Sequence, residues 1–245
     1  MNLNNLTQQM ESMPTNTKKP TRIVVMGDLG VGKSAIVTRC IKNKFYKSLV
    51  SGRDLSYRYN ANFGKKTVPL DVVDFNGKND ALISCADGFI LCYSITDRKS
   101  FDAIDDYLDK IVDANIKHPK ITIIGNKSDL YRDRQVTSAE GFLLAKEING
   151  QFYETSAKIP VIDIRQVFYD LYKAIKSAKK NRKDKKDSFD YESPEDYSIM
   201  DQAMLNSSGL LGYSRCSQRG YLSGLREMSR RLSSRPRKLT IDSSL

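Results

Sequence analysis

Gly27-Asp28-Leu29-Gly30-Val31-Gly32-Lys33-Ser34 follows a short apolar run and leads into a helical pattern ending near Asn43. The stretch spells G-x-x-x-x-G-K-[ST] in a strand–loop–helix context. Glycines so placed let backbone N–H groups wrap phosphate oxygens at a helix N-terminus, where the helix dipole also favours negative charge. Lys33 supplies a point charge to β- and γ-phosphates, and the Ser34 hydroxyl is an oxygen ligand for Mg²⁺. Leu29, Val31 and Ala35 belong to the same cradle. The plainer reading is a glycine-rich turn that merely joins strand to helix. The context outweighs it, and the chain is expected to bind a nucleoside phosphate.

Two later segments address the base. Asn126-Lys127-Ser128-Asp129 follows the apolar run Ile121–Ile124, at the carboxyl end of a central strand. Ligands of open α/β sheets sit on that edge. A carboxylate there accepts both the N1–H and the 2-amino group of guanine, a pattern adenine lacks. Farther on, Glu154-Thr155-Ser156-Ala157-Lys158 can present a backbone N–H to guanine O6. Either segment alone reads as a surface turn. In this order behind the phosphate loop they point to a guanine nucleotide.

Elements able to position these loops are visible in the hydropathy pattern. Ile23 to Met26, Phe89 to Ile95 and Ile121 to Ile124 are continuous apolar runs, as in strands buried on both faces of a parallel sheet. Phe101, Ile104, Leu108 and Ile111 recur at helical spacing, as do Ile164, Val167, Phe168, Leu171 and Ile175. Thr137 and Glu140 form a capping-box signature for a helix running to about Ile148. Leu55 to Asn62 and Thr67 to Val73 flank Phe63-Gly64-Lys65 and read as a hairpin. Alternating strands and helices give an α/β fold with an open sheet covered on both faces.

The whole chain has 245 residues, a formal charge of +11 and 40% hydrophobic residues, enough for one sizeable core. Three parts are expected: a polar N-terminal segment 1–20 read as disordered, a folded domain 21–176, and a mostly disordered tail 177–245. No apolar run nears the roughly 20 residues that cross a bilayer. The start lacks a secretory signal's apolar region, and Asn2 excludes N-myristoylation. Cys40, Cys85, Cys92 and Cys216 are scattered, which fits a reducing compartment rather than disulfides or zinc. The expected setting is cytoplasmic. The basic balance favours anionic partners, but no stacking-aromatic or recognition motif supports nucleic acid.

With these motifs in place, residues 21–176 resemble the Ras family of small GTPases, most of all its divergent Rerg/Ras-like branch through Ala86-Asp87-Gly88-Phe89 and Ile95 to Phe101. The resemblance implies a P-loop NTPase small G domain, a mostly parallel six-stranded sheet with five helices, binding GDP/GTP with Mg²⁺. Gly27, Gly30, Gly32, Lys33 and Ser34 would hold the phosphates, Asn126, Lys127 and Asp129 the base, with Ser156, Ala157 and Lys158 as the second base loop. Phe45 matches the aromatic packed edge-on to the base, the alternative being a core aromatic. Asp74-Phe75-Asn76-Gly77 matches D-x-x-G: Asp74 would hold Mg²⁺ through water, and the Gly77 amide would face the γ-phosphate. The catalytic expectation falls on Lys33 and Gly77, and the metal expectation on Ser34 and Asp74. Effector and exchange-factor proteins are the implied partners.

The sequence departs from that pattern in its hydrolytic half. The switch threonine that caps Mg²⁺ falls at Gly52, with Ser48 and Ser51 able to replace it only after a register shift. The water-orienting glutamine falls at Lys78, whose ammonium has donors and no acceptor; a solvated lysine is the alternative. Asp87-Gly88 follows soon after, so the second switch is shortened. Leu29 replaces a small glycine and would crowd an arginine finger supplied in trans. Slow turnover is the expectation; a pseudoGTPase scaffold that holds GTP without significant hydrolysis is the alternative.

The chain's last residues, Asp242 to Leu245, carry no prenylation box, and Cys216 is a lone acylation candidate. The basic runs at 176–186 and 226–238 fit weak acidic-membrane contact, nuclear import, calmodulin-type recognition through a helix at Leu222, Leu225, Met228 and Leu232, or plain solvation. Arg230-Arg231-Leu232-Ser233 resembles a basophilic kinase site.

Overall fold

The computed structural model describes residues 19–46, 53–64, 66–116, 119–159 and 163–187, with side chains to 181. The expectations on Gly52, Ser48 and Ser51, on residues 1–18, and on the tail beyond 187 lie outside the described residues.

Six strands form one sheet: β1 (Thr21–Met26), β2 (Leu55–Phe63), β3 (Lys66–Asp74), β4 (Gly88–Ser94), β5 (Lys120–Asn126) and β6 (Gln151–Glu154). Their order is β2-β3-β1-β4-β5-β6. Only the β2–β3 hairpin is antiparallel, and every other neighbouring pair is parallel. The helices are α1 (Lys33–Lys42), α2 (Ala81–Ser84), α3 (Arg98–Asp102), α4 (Ile104–Asp113), α5 (Ser138–Glu147) and α6 (Ile164–Asp187), with a 3-10 helix at Ser128–Asp133. The implied five helices are present, the third broken at Ala103 into α3 and α4.

β1 is apolar at successive positions because both of its faces are covered. Ile23 and Val25 pack with Ile36 and Val37 of α1 and Val167, Phe168 and Leu171 of α6. Val24 and Met26 face the other way, into Ile104, Leu108 and Ile111 of α4 and Leu144 of α5. Alternation within a buried strand thus feeds two cores.

Local signals act where the pattern places them. The Thr137 hydroxyl accepts from the Glu140 N–H while the Glu140 carboxylate accepts from the Thr137 N–H, a complete capping box for α5. Asp97 caps α3 by accepting from the Lys99 and Ser100 amides. α6 continues to Asp187, so the basic run beginning at Lys176 lies on helix, beyond the point where apolar periodicity stops. Among the described residues no helix is long and apolar enough to cross a membrane.

Candidate functional site

β1 lies between β3 and β4, so the chain leaves it on both sides, and a crevice opens at its carboxyl end. The loops after β1, β3, β5 and β6 share that edge, and they carry nearly all of the residues expected to bind.

The first loop can be built only with glycine. Gly27 has φ +145°, and a Cβ there would stand 2.0 Å from the carbonyl oxygen of Cys92. Gly32 has φ +99°, and a Cβ there would come 2.3 Å from Asn126 Nδ2. Both conformations are ones L side chains avoid. Gly32 is also the N-cap of α1, with no side chain capping the helix and no acidic residue in its first turn. The leading amides, from Lys33 through Ala35, therefore lack the internal partners an anion would replace.

Lys33 is 5% exposed, and its Nζ donates to the Asp28 carbonyl at 2.9 Å, which bends the ammonium back over the loop. Burial pushes its pKa down, against the pull of Asp74 and Asp28. Forty residues beyond Ser34, Asp74 closes β3 at 1% exposure, and its Oδ2 accepts from the Ser34 hydroxyl at 2.5 Å. Burial pushes the Asp74 carboxyl up, against the Ser34 hydrogen bond and the Lys33 charge. Asp74 Oδ1 is buried with no hydrogen-bond partner. A buried ammonium, an uncapped helix start, a hydroxyl on a carboxylate and an orphaned carboxylate oxygen are the complement of a phosphate with a hard divalent cation. Ser34 and Asp74 fit the Mg²⁺ assignment.

The base loops are knit together and to the phosphate loop. Asn126 Nδ2 donates to the Val31 carbonyl at 2.7 Å, and Asn126 Oδ1 accepts from the Ala157 N–H at 3.1 Å. The Ser156 hydroxyl donates to Asp129 Oδ1 at 2.5 Å and accepts from the amides of Lys158 and Ile159. Lys127 takes φ +65°, which turns the chain out of β5 into the 3-10 helix that carries Asp129. Phe45 is 36% exposed beyond α1, so it is not a core aromatic.

Gly77 has φ +83° and is exposed beside the exposed Lys78. No close contact brings either into the cradle. Leu29 stands 71% exposed at the rim of the phosphate loop. The helix after D-x-x-G, α2, has only four residues, as the short segment before Asp87 requires.

Two contributors carry no motif. Arg39, on α1, donates to the carbonyl oxygens of Asn43 and Lys158, tying the end of the phosphate helix to the second base loop. Asp54 Oδ1 accepts from the Asn76 N–H at 2.6 Å, inside D-x-x-G. An acidic residue just before β2 is the only signal for the second, and nothing in spacing marks the first.

The sequence matches the Ras family over residues 22–177. It is 34% identical over 163 residues to the human Ras-related and estrogen-regulated growth inhibitor, covering 63% of this chain and 81% of that protein. Over 166 residues it is 36% identical to Ras-like protein rasC of Dictyostelium discoideum, covering 64% and 87%. Mouse GTP-binding protein Rit1 is 32% identical over 172 residues, covering 67% and 78%. With its phosphate cradle, its base loops and a six-stranded, mostly parallel sheet flanked by helices, the chain belongs to the Ras family of small GTPases as a divergent member.

Proposed function

We propose that this GTPase is a slow molecular switch, holding GTP far longer than a typical member of its family does before hydrolysing it. Gly27, Leu29, Gly30, Val31, Gly32, Lys33, Ser34 and Ala35 bind the phosphates. Asn126, Lys127, Asp129, Ser156, Ala157, Lys158 and the half-exposed Phe45 bind guanine and ribose. Asn126 also acts as a brace, since each end of its amide bonds a protein partner while a second N–H on Nδ2 stays available. Ser34 and Asp74 would hold Mg²⁺, which would supply positive charge against the phosphates. Lys33 and the cradle amides stabilise the charge that builds as water attacks in line, and the Gly77 amide faces the γ-phosphate.

The observation that carries slowness is Lys78. It follows Gly77 directly, is exposed, and has no acceptor to take up a water's proton. Exposed Leu29 adds a steric bar to any residue inserted from an activating protein. Effectors and exchange factors of the Ras type are the expected protein partners, and the basic end of α6 supports weak contact with acidic membrane from a cytoplasmic location.

Single-turnover hydrolysis on the full chain, preloaded with GTP and Mg²⁺, tests this by following bound GTP and GDP chromatographically. Conversion slower than about 10⁻⁴ s⁻¹ is expected, and a rate at or above the intrinsic Ras range overturns it. GTP that persists for days moves the chain to a second reading, a GTP-holding scaffold, which the four-residue α2 favours.

A further inference from the structure

Two carboxylates with unsatisfied oxygens lie at the same end of the β2–β3 hairpin. Asp54 immediately precedes Leu55, which pairs across the hairpin with Asp74. Asp54 is anchored through Oδ1 on the Asn76 N–H at 2.6 Å, while Asn76 Nδ2 donates to the Arg53 carbonyl at 2.8 Å. That double tie fixes the carboxylate plane and leaves Oδ2 buried without a partner. Asp74 repeats the arrangement: Oδ2 is held by Ser34, and Oδ1 is buried and unpartnered on a residue 1% exposed. Neighbouring carboxylates with unpartnered oxygens repel each other unless a cation lies near both.

We propose that Asp54 is a second carboxylate of the magnesium site, facing the cation beside Asp74 and Ser34. This rests on the magnesium reading above and adds a residue to it. Mg²⁺ is commonly held by one or two carboxylates plus phosphate oxygens and water, so a hydroxyl with two carboxylates is a complete protein share. The glycine aligned with the switch threonine brings no side-chain oxygen, and Asp54 supplies a carboxylate oxygen two residues later. Because the same side chain is bound to Asn76, filling the site also fastens the start of β2 to the D-x-x-G turn.

The full chain loaded with fluorescent GDP gives the test. Nucleotide release is timed across a magnesium series and in EDTA, and Mn²⁺ affinity is read from the loss of the free-ion electron paramagnetic resonance signal. Asp54→Asn keeps an acceptor for the Asn76 N–H and removes the charge. It is expected to raise the magnesium needed for half-maximal slowing, and to weaken Mn²⁺ binding, by about 10–100-fold. Release in EDTA stays unchanged, and Asp54→Glu recovers part of the loss. Should the amide variant not fold, Asp54→Ser, which also retains an acceptor, is judged by the same ratio. A magnesium half-point within about twofold of the unsubstituted chain overturns the inference. So does faster release of equal size with and without magnesium, which marks a purely structural role. Release that ignores magnesium in the unsubstituted chain overturns the parent reading and this one together.

Discussion

Replacing Asn126 by Ala removes the brace between the phosphate loop and the second base loop. The deleted amide leaves the Val31 carbonyl and the Ala157 N–H without their partners, in residues 1% and 4% exposed. A buried polar group stranded in this way costs about 1–3 kcal/mol, so two cost about 2–6 kcal/mol. Water entering the vacated space satisfies part of that, which places the expected loss near ~3 kcal/mol. For a chain of this size that is roughly 6–12 °C in Tm. Urea unfolding at several GDP concentrations, extrapolated to none, reads it, so that a changed nucleotide affinity does not enter the difference. Asn126→Asp separates the two bonds. It keeps the acceptor for Ala157 but sets a carboxylate against the Val31 carbonyl in place of a 2.7 Å donor contact. The aspartate variant is therefore expected to be at least as unstable as the alanine variant. A loss under about 1 kcal/mol for Ala, or Asp more stable than Ala, refutes the brace.

Lys78→Gln supplies a side chain able both to donate to and to accept from a water, and is expected to speed single-turnover hydrolysis about tenfold or more; an unchanged rate places the slowness elsewhere. Glu140→Gln tests the α5 cap. Burial favours the neutral acid, yet the bonds from Arg98 and Thr137 prevail and hold the Glu140 pKa at about 2. Since the folded value lies below the unfolded one, the stabilisation is present above roughly pH 4.5 and fades as pH falls toward 2. Half-exposure limits it to about 1 kcal/mol near neutrality, and thermal melts of the two proteins should converge with acidification.

Features set by neighbours along the chain are legible in the amino-acid sequence alone. The unbroken Ile23–Met26 run announces a strand covered on both sides, and Thr137 with Glu140 announces the start of α5. The glycine-spaced loop and the two base segments are legible because their chemistry lies in residue type and order, and the sheet then brings them to one edge. What escapes depends on strand order, which no periodicity encodes. Asp71 on β3 is buried beneath Arg22 of β1 and Ser56 of β2, a cluster that exists only because β3 lies between those strands. Asn126 is expected from its motif to address the base, and no motif announces that its side chain also reaches back to Val31 across the crevice. Asp54 carries no motif, and its significance comes from an oxygen left without a partner.

The length of α6 has a geometrical consequence. The helix starts behind the second base loop, and farther along Lys179 bonds Asp87, the residue preceding β4. It therefore runs against the parallel strands and ends at the pole opposite the nucleotide. From Lys179, its last tie to the sheet, to Asp187 it rises about 12 Å as a mast beyond the domain. A grip on the chain past that point would hold the domain by the pole opposite its nucleotide edge and leave that edge facing away from whatever holds it.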